Sequence, residues 1–321
     1  MGYKKKHPLL RIFEKCIAGD TTDATGGCTG NLRTAWEQFF LALPDGARVL
    51  DIGTGNGVVP LIALANARER SITLKIHGID LAQIDPPTHV PDGQRLFDGI
   101  VFRGGIAAEA MPFDGGYFAA VSGQYVLEYT QHESVLREVR RVMVDGAAAR
   151  FVLHHATSVV VRNARESLLH ADELEHRADA FTDLRAFVSA ERNRAATTTT
   201  LHSRMIERMQ NLHRLAAESK GSNLLAGVLL PALGDLYERR RAMSSTDFNA
   251  ALDETYRSFK AMEQRLHELI DASLDETAIQ HLANVAGECG FCDVQFAPLW
   301  HDAENLVGWQ LDLVAAAIRP S

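Results

Sequence analysis

The chain has 321 residues, 46% of them hydrophobic, and its 41 acidic against 33 basic residues leave a formal charge of −8. That is enough apolar material for one large domain or two smaller ones, and the acidic balance argues against a general nucleic-acid binder, which carries a basic footprint. No apolar run approaches the roughly 18 residues needed to span a bilayer, and four cysteines imply no disulfide framework.

Residues 1–31 are expected to form an N-terminal arm. The basic start (Lys4, Lys5, Lys6) runs into a segment broken by His7, Pro8, Arg11, Glu14 and Lys15, which is not a secretory signal. With reduced thiols, this gives a cytoplasmic reading. Asp20–Asn31 is a polar, glycine-rich loop, with the hydroxyls of Thr25 and Thr29 available, and Leu32–Leu43 follows as a helix. Val49–Ile52 is a short apolar strand that carries Asp51 and runs into Gly53, Gly55 and Gly57, after which an apolar, Ala-rich segment begins. Strand, tight turn and helix N-terminus in that order suit a ligand that approaches backbone closely and meets a positive dipole end. Buried at a strand end, the Asp51 carboxylate is expensive unless something polar or cationic meets it.

Thr73–Ile79 patterns as a second strand and ends in Asp80, followed by Leu81. An acid there can accept both hydroxyls of a ribose. Phe102–Phe113 contains Gly104-Gly105-Ile106-Ala107-Ala108 and closes on Met111-Pro112-Phe113. Phe118–Ser122 is a fourth strand, and its loop carries Gln124, Tyr125, Glu128 and Tyr129. Val135–Val144 has helical periodicity, with Asp145-Gly146 placed to end it. Ala148–Leu153 is a fifth strand that runs into His154-His155.

From 158 to 274 the chain reads as four or five helices, with breaks at Thr197–Thr200, Lys220-Gly221, Pro231 and Ser244-Ser245, and Asp247 near a helix start. The apolar run 223–233 must be buried. Thr277–Gly290 is a final helix, and Phe291–Pro298 and Trp309–Ile318 are strands that can pair as a hairpin. Cys289 and Cys292 form a lone C-x-x-C, which is weak evidence for zinc.

The spacing of the glycines separates two cofactor classes. A dinucleotide fingerprint G-x-G-x-x-G would need a glycine where Val58 stands, which disfavours a nicotinamide oxidoreductase. The pattern D-x-G-x-G-x-G at Asp51–Gly57 instead resembles the first motif of class I S-adenosylmethionine-dependent methyltransferases. The resemblance covers roughly residues 30–157 and 275–319. It implies an α/β fold: a Rossmann-like, seven-stranded, mostly parallel sheet with helices on both faces. Residues 32–157 and 275–321 would be the core, and 158–274 an α-helical insertion serving as a lid, a dimerisation module or both.

The family's site carries over residue by residue. Asp51, Gly53, Gly55, Asn56 and Gly57 would hold the methionine part of S-adenosyl-L-methionine, Asp80 and Leu81 the ribose side, and Ala107, Ala108 and Gln124 the remainder. Where the family places an adenine-binding Asp this chain has Ala107, and where it places Asp after Phe118 the chain has Ala119, so the cradle is thinned at its adenine end. His154, His155 and Tyr125 are the candidates for catalysis. Imidazole is the side chain best poised to take a proton near neutral pH. The implied partner is a small, partly apolar methyl acceptor, with neither membrane nor nucleic acid and with a homodimer through the insertion in view. A non-catalytic scaffold or ligand sensor is the alternative that Ala107 and Ala119 motivate.

Overall fold

A computed structural model describes residues 29–169, 180–218 and 224–317. The N-terminal arm up to residue 28, with Thr25, and the break at Lys220-Gly221 lie outside the described residues. The described residues divide into two compact units, those within Val160–Asp271 and those on either side of that stretch.

The sheet unit runs α1 (Gly30–Leu41), β1 (Arg48–Ile52), α2 (Val58–Glu69), β2 (Lys75–Asp80), α3 (Pro86–His89), α4 (Gly93–Leu96), β3 (Ile100–Gly104), β4 (Phe118–Gln124), a 3-10 turn (Leu127–Tyr129), α5 (His132–Val142) and β5 (Met143–Leu153). Among the described residues, the helices that follow are α6 (Val159–Leu169), α7 (Ala180–Arg192), α8 (Thr198–Glu218), α9 (Leu224–Arg239) and α10 (Ser245–Ala272). The chain then returns to the sheet through α11 (Glu276–Glu288), β6 (Phe291–Trp300) and β7 (Leu306–Ala315).

The sheet order is β3-β2-β1-β4-β5-β7-β6. Strands β1 to β5 pair in parallel, and β7 runs antiparallel to both β5 and β6. Strand β1 reads Arg-Val-Leu-Asp-Ile and is buried from Val49 onward, as an interior strand covered on both faces must be. The two-residue period sends Val49 to one face, with Trp36, Phe40, Val59, Ile62 and Ala63 of α1 and α2. It sends Leu50 to the other, with Val135, Leu136 and Val139 of α5 and Ile279, Leu282 and Ala286 of α11. The strand order reverses between β1 and β4, so the crevice past their C-terminal ends is the natural ligand position.

Across the antiparallel junction, the Arg150 guanidinium of β5 donates to both carboxylate oxygens of Asp312 on β7, Nε to Oδ1 at 2.6 Å and Nη2 to Oδ2 at 3.0 Å. The two residues are direct cross-strand partners, so the fork fixes the register. Arg150 also donates to the Ala35 carbonyl at 2.5 Å, which ties α1 to the same point.

Two expectations change. Helix α5 stops at Val142, and Asp145-Gly146 does not cap it. Met143 already pairs with Phe118, and the extra residues before the Ala120–Ala148 pair form a bulge, with Gly146 at φ 75°. Pairing with β4 captures the chain before a helix cap can form. Nor does Pro231 break its segment, for it lies inside α9. Leu225, Val228 and Leu229 before it and Leu233 and Leu236 after it are buried, and that packing outweighs a lost hydrogen bond.

In the helical unit, α7 and α8 are joined through Asp183, whose side chain is 6% exposed and meets Arg204 at 2.5 Å and Arg208 at 3.1 Å. Ser244 caps α10. Its hydroxyl accepts the Asp247 N–H at 3.0 Å and donates to the Asp247 carboxylate at 2.7 Å, so Asp247 is the cap's partner three residues in. Of the C-x-x-C pair, Cys289 Sγ rests on the Glu133 carbonyl and Cys292 Sγ on that of Val314. No helix among the described residues is long and apolar enough to cross a membrane.

Candidate active site

The turn after β1 takes positive φ at Gly53 (63°), Gly55 (52°) and Gly57 (81°). The three glycines do different work. A Cβ on Gly53 would lie 2.4 Å from Val126 Cγ2, and one on Gly57 would lie 2.7 Å from the Phe102 ring, whereas Gly55 has nothing within 4 Å. The outer two glycines are therefore sealed by protein, and the middle one presents bare backbone to open space. Helix α2 starts immediately after, with no side-chain cap on its first N–H groups and no acid in its first turn. Its positive end is left for something else to meet. Asn56 is exposed at the tip of the turn.

Asp80 ties this turn to the end of β2. One carboxylate oxygen accepts the Gly55 N–H at 2.9 Å, and the other accepts the Ala82 N–H at 2.8 Å. A carboxylate has about four lone-pair positions, so two remain for a pair of hydroxyls. Leu81, next in the chain, is 74% exposed. The segment expected at the adenine end is zipped alongside: the Ile106 N–H donates to the Asp80 carbonyl at 2.9 Å and the Gly105 N–H to that of Ala82 at 3.1 Å. Ala108 is buried beneath, while Ala107 is half-buried and brings no acceptor side chain.

Asp51 is 2% exposed. It accepts the Ser122 hydroxyl at 2.7 Å, so the protein itself supplies its polar partner from β4. Burial pushes its pKa up to about 7, opposed by the Ser122 hydroxyl and helped by the charge of Asp80.

The second group gathers at the ends of β4 and β5. Gln124 is the last residue of β4, paired with Val152, and its Oε1 accepts the Trp36 indole N–H at 2.7 Å. Tyr125 has a left-handed backbone (φ 55°), uncommon for a bulky residue. Its hydroxyl donates to the Val307 carbonyl at 3.1 Å, and its ring lies parallel on His154 at 4.1 Å. Tyr129 meets His154 edge-on at 6.1 Å.

The two histidines differ from expectation. His154 is 3% exposed with an unpartnered Nδ1, and burial lowers its pKa to about 3. It is neutral and a poor proton acceptor near pH 7, because burial disfavours the imidazolium. His155 stacks on Trp309 at 4.3 Å, and its Nδ1 accepts the Thr157 N–H at 3.0 Å. Its proton therefore sits on Nε2 in the neutral ring, and burial holds its pKa below the usual value, with Glu276 opposing. His155 is built to donate a hydrogen bond rather than to remove a proton.

Glu128 was visible in the sequence only as a neighbour of these residues. It is 7% exposed, and its Oε1 accepts the His154 backbone N–H at 2.8 Å. The signal in the sequence is an acid set within the apolar run Tyr125-Val126-Leu127 directly after a strand. The two halves of the site meet where Val126 seals Gly53. A separate groove of about 470 Å³, lined by Leu64, Arg68, Leu74, Ile76 and Val101, shares no residue with the turn. It lies toward the N-terminal end of the strands, away from the crevice.

These residues fit an adenosyl-sulfonium ligand at two of its three parts. The open face at Gly55 and the start of α2 suit an amino-acid carboxylate, and the spare lone pairs of Asp80 suit a ribose diol. At the adenine end, Leu81 offers an apolar surface, and Ala107 brings no acceptor where the family has its Asp.

No family model and no curated protein matches this sequence. Among solved structures, the chain is similar to a putative S-adenosyl-L-methionine-dependent methyltransferase from Methanococcus maripaludis, at 11% identity over all of both chains with a TM-score of 0.43. A Haemonchus contortus phosphoethanolamine N-methyltransferase 2, bound to S-adenosyl-L-methionine, matches at 12% identity over 98% of this chain and 59% of its own, with a TM-score of 0.38. An S-adenosylmethionine-dependent methyltransferase from Mesorhizobium loti matches at 19% identity over 38% of this chain, with a TM-score of 0.31. In that case the match spans 53% of the other chain, little more than half its length. Judged on its own sheet order and antiparallel closing hairpin, the chain has the Rossmann-like fold of the class I S-adenosylmethionine-dependent methyltransferases.

Proposed function

We propose that this protein transfers a methyl group from S-adenosyl-L-methionine to a small, partly apolar acceptor by in-line displacement. The observation that carries the reading is the pairing of an open-faced glycine turn with Asp80, at the point where the strand order reverses. The cofactor supplies a methyl group on a sulfonium, already a strong electrophile, so the work of the chain is to bind, align and exclude water. Asp80 and the start of α2 bind. Tyr125, stacked on His154 and held at its hydroxyl by Val307, forms a stiff wall beside the acceptor, and His155 Nε2 donates a hydrogen bond to it. The helices of 158–274 are assigned acceptor choice or self-association, the second of which light scattering on the full chain measures.

Isothermal titration with S-adenosylmethionine, S-adenosylhomocysteine and NAD tests the central claim. Micromolar binding of the adenosyl ligands and none of NAD is expected. Well-folded protein that binds neither adenosyl ligand would refute the reading. A non-catalytic ligand sensor is the second reading, favoured by Ala107 and Ala119. It predicts adenosyl-ligand binding with no methyl transfer to any protic small molecule.

A further inference from the structure

The connections around β3 leave part of the sheet uncovered. Between β2 and β3 stand only α3 and α4, of four residues each, and no helix lies between β3 and β4. Parallel strands are normally covered on both faces, yet β3 is an edge strand whose Val101 is 47% exposed. The groove of about 470 Å³ opens here, within the size range of small-molecule sites. Its floor is apolar. Leu64 and Ala67 come from the second half of α2, Leu74 and Ile76 from the start of β2, and all four are buried. Ile72 and Val101 are its partly exposed walls.

The rim is cationic. Arg68 and Lys75 line the groove, and Arg48 stands beside Lys75 as its direct cross-strand partner. Like charges side by side on a sheet cost stability. Yet among the described residues none of the three forms an ion pair. The acids near them in the chain are otherwise engaged. Asp98 offers Arg68 its backbone carbonyl at 3.2 Å rather than its carboxylate, and the Asp45 carboxylate accepts the Thr73 N–H at 2.8 Å. Arg48 rests on the Tyr117 ring at 4.3 Å, and Lys75 is exposed. In a chain with 41 acidic and 33 basic residues, three unpaired cations at the mouth of one groove are a local reversal of charge, and such a reversal draws an anion.

We infer that this groove binds a free amphiphilic anion, an unbranched aliphatic carboxylate whose chain lies on the apolar floor and whose head group meets Lys75 and Arg68. Floor and rim select the occupant together. A compact polyanion would leave the floor in water, and a neutral hydrocarbon would leave the cations unpaired. The groove sits at the end of α2 away from Gly57 and at the end of β2 away from Asp80. Its ligand is therefore distinct from the methyl acceptor, and binding here does not depend on the methyltransferase reading.

Octanoate, octanol and octylammonium carry the same chain under an anionic, a neutral and a cationic head. Ligand-observed NMR titration of the full chain should give saturable, one-to-one binding of octanoate, with octanol about fivefold weaker or more and octylammonium weaker still. Lys75→Glu and Val101→Asp alter exposed side chains. Each should weaken octanoate about fivefold or more while the melting temperature holds, because each puts a carboxylate where the head group or chain would lie. Asp80→Asn, at the far end of β2, should leave octanoate binding as it is. The inference is overturned by folded protein that binds no octanoate, by octanol held as tightly as octanoate, or by binding that survives Lys75→Glu. Binding lost in Asp80→Asn would put octanoate in the cofactor crevice and overturn it too. Cosedimentation with vesicles of phosphatidylglycerol and phosphatidylcholine separates a free carboxylate from a lipid surface. Protein that sediments with the vesicles but ignores free octanoate would make the patch a membrane-facing one, against the inference.

Discussion

Asp80 holds two backbone N–H groups from different loops, and this double duty separates its structural worth from its binding worth. Asp80→Asn keeps one acceptor oxygen for the Gly55 or Ala82 N–H but loses the charge. Charge-assisted hydrogen bonds to a diol are worth roughly 1–3 kcal/mol. Calorimetry on Asp80→Asn should therefore show a Kd for S-adenosylmethionine about 10–100-fold weaker, and an unchanged Kd would remove Asp80 from the ribose site. The glycines make a sharper contrast. Gly55→Ala meets no atom and costs about 1 kcal/mol for its positive φ, yet its methyl group fills the face offered to the ligand. Gly53→Ala drives a methyl group into Val126 and should unfold at clearly lower temperature. Melting curves and titrations on the two variants are expected to separate, with binding lost first in Gly55→Ala and stability lost first in Gly53→Ala. Equal loss of stability in both would contradict the open face.

Elements were legible in the sequence where their cause is local. The period of Val49–Ile52, the glycines after it and Asp80 at the end of the next strand all lie within one strand–helix–strand unit, and each keeps its place. What was not legible depends on residues far away in sequence. Met143 leaves its helix because Phe118 is there to pair with it, and Pro231 stays helical because buried leucines on both sides hold α9 together. Within the site, the glycine turn and the acid at β2 could be read directly. The burial that neutralises His154 could not, because the Tyr125 ring that lies on it comes from a residue with a left-handed backbone. Pro231 offers an element-scale test. Its side chain is exposed, so Pro231→Ala loses little packing and regains a helix hydrogen bond. Since proline in a helix interior costs about 3 kcal/mol, partly repaid through the stiffer unfolded chain, the alanine variant should be about 1–2 kcal/mol more stable. Urea unfolding followed by circular dichroism measures this, and a variant no more stable than wild type would mean that α9 accommodates the ring without cost.

At the scale of the whole molecule, the two buried carboxyls should govern how the sheet unit responds to pH. Asp51 and Glu128 hold protons in the folded state up to about pH 7 and about pH 8, whereas in the unfolded chain both are ionised above their ordinary values of 3.8 and 4.5. Between these limits the folded state binds more protons than the unfolded state, so stability falls as pH rises. His154 works the other way. Its folded pKa near 3 lies below the ordinary 6.5, so its contribution is complete above pH 6.5 and is lost only as pH falls toward 3. From pH 6 to 8.5 the carboxyls dominate, and stability should drop by about 3–4 kcal/mol, at about 1.4 kcal/mol per group for each pH unit titrated. The three tryptophans are Trp36, Trp300 and Trp309, all in the sheet unit, so their fluorescence during urea unfolding reports this unit by itself. The midpoint should move to lower urea as pH rises through 7 and 8. In the Asp51→Asn, Glu128→Gln double variant, whose amides do not titrate, the midpoint should be nearly level over the same range. A wild-type midpoint that stays flat or climbs would show that the two carboxyls are ionised in the fold.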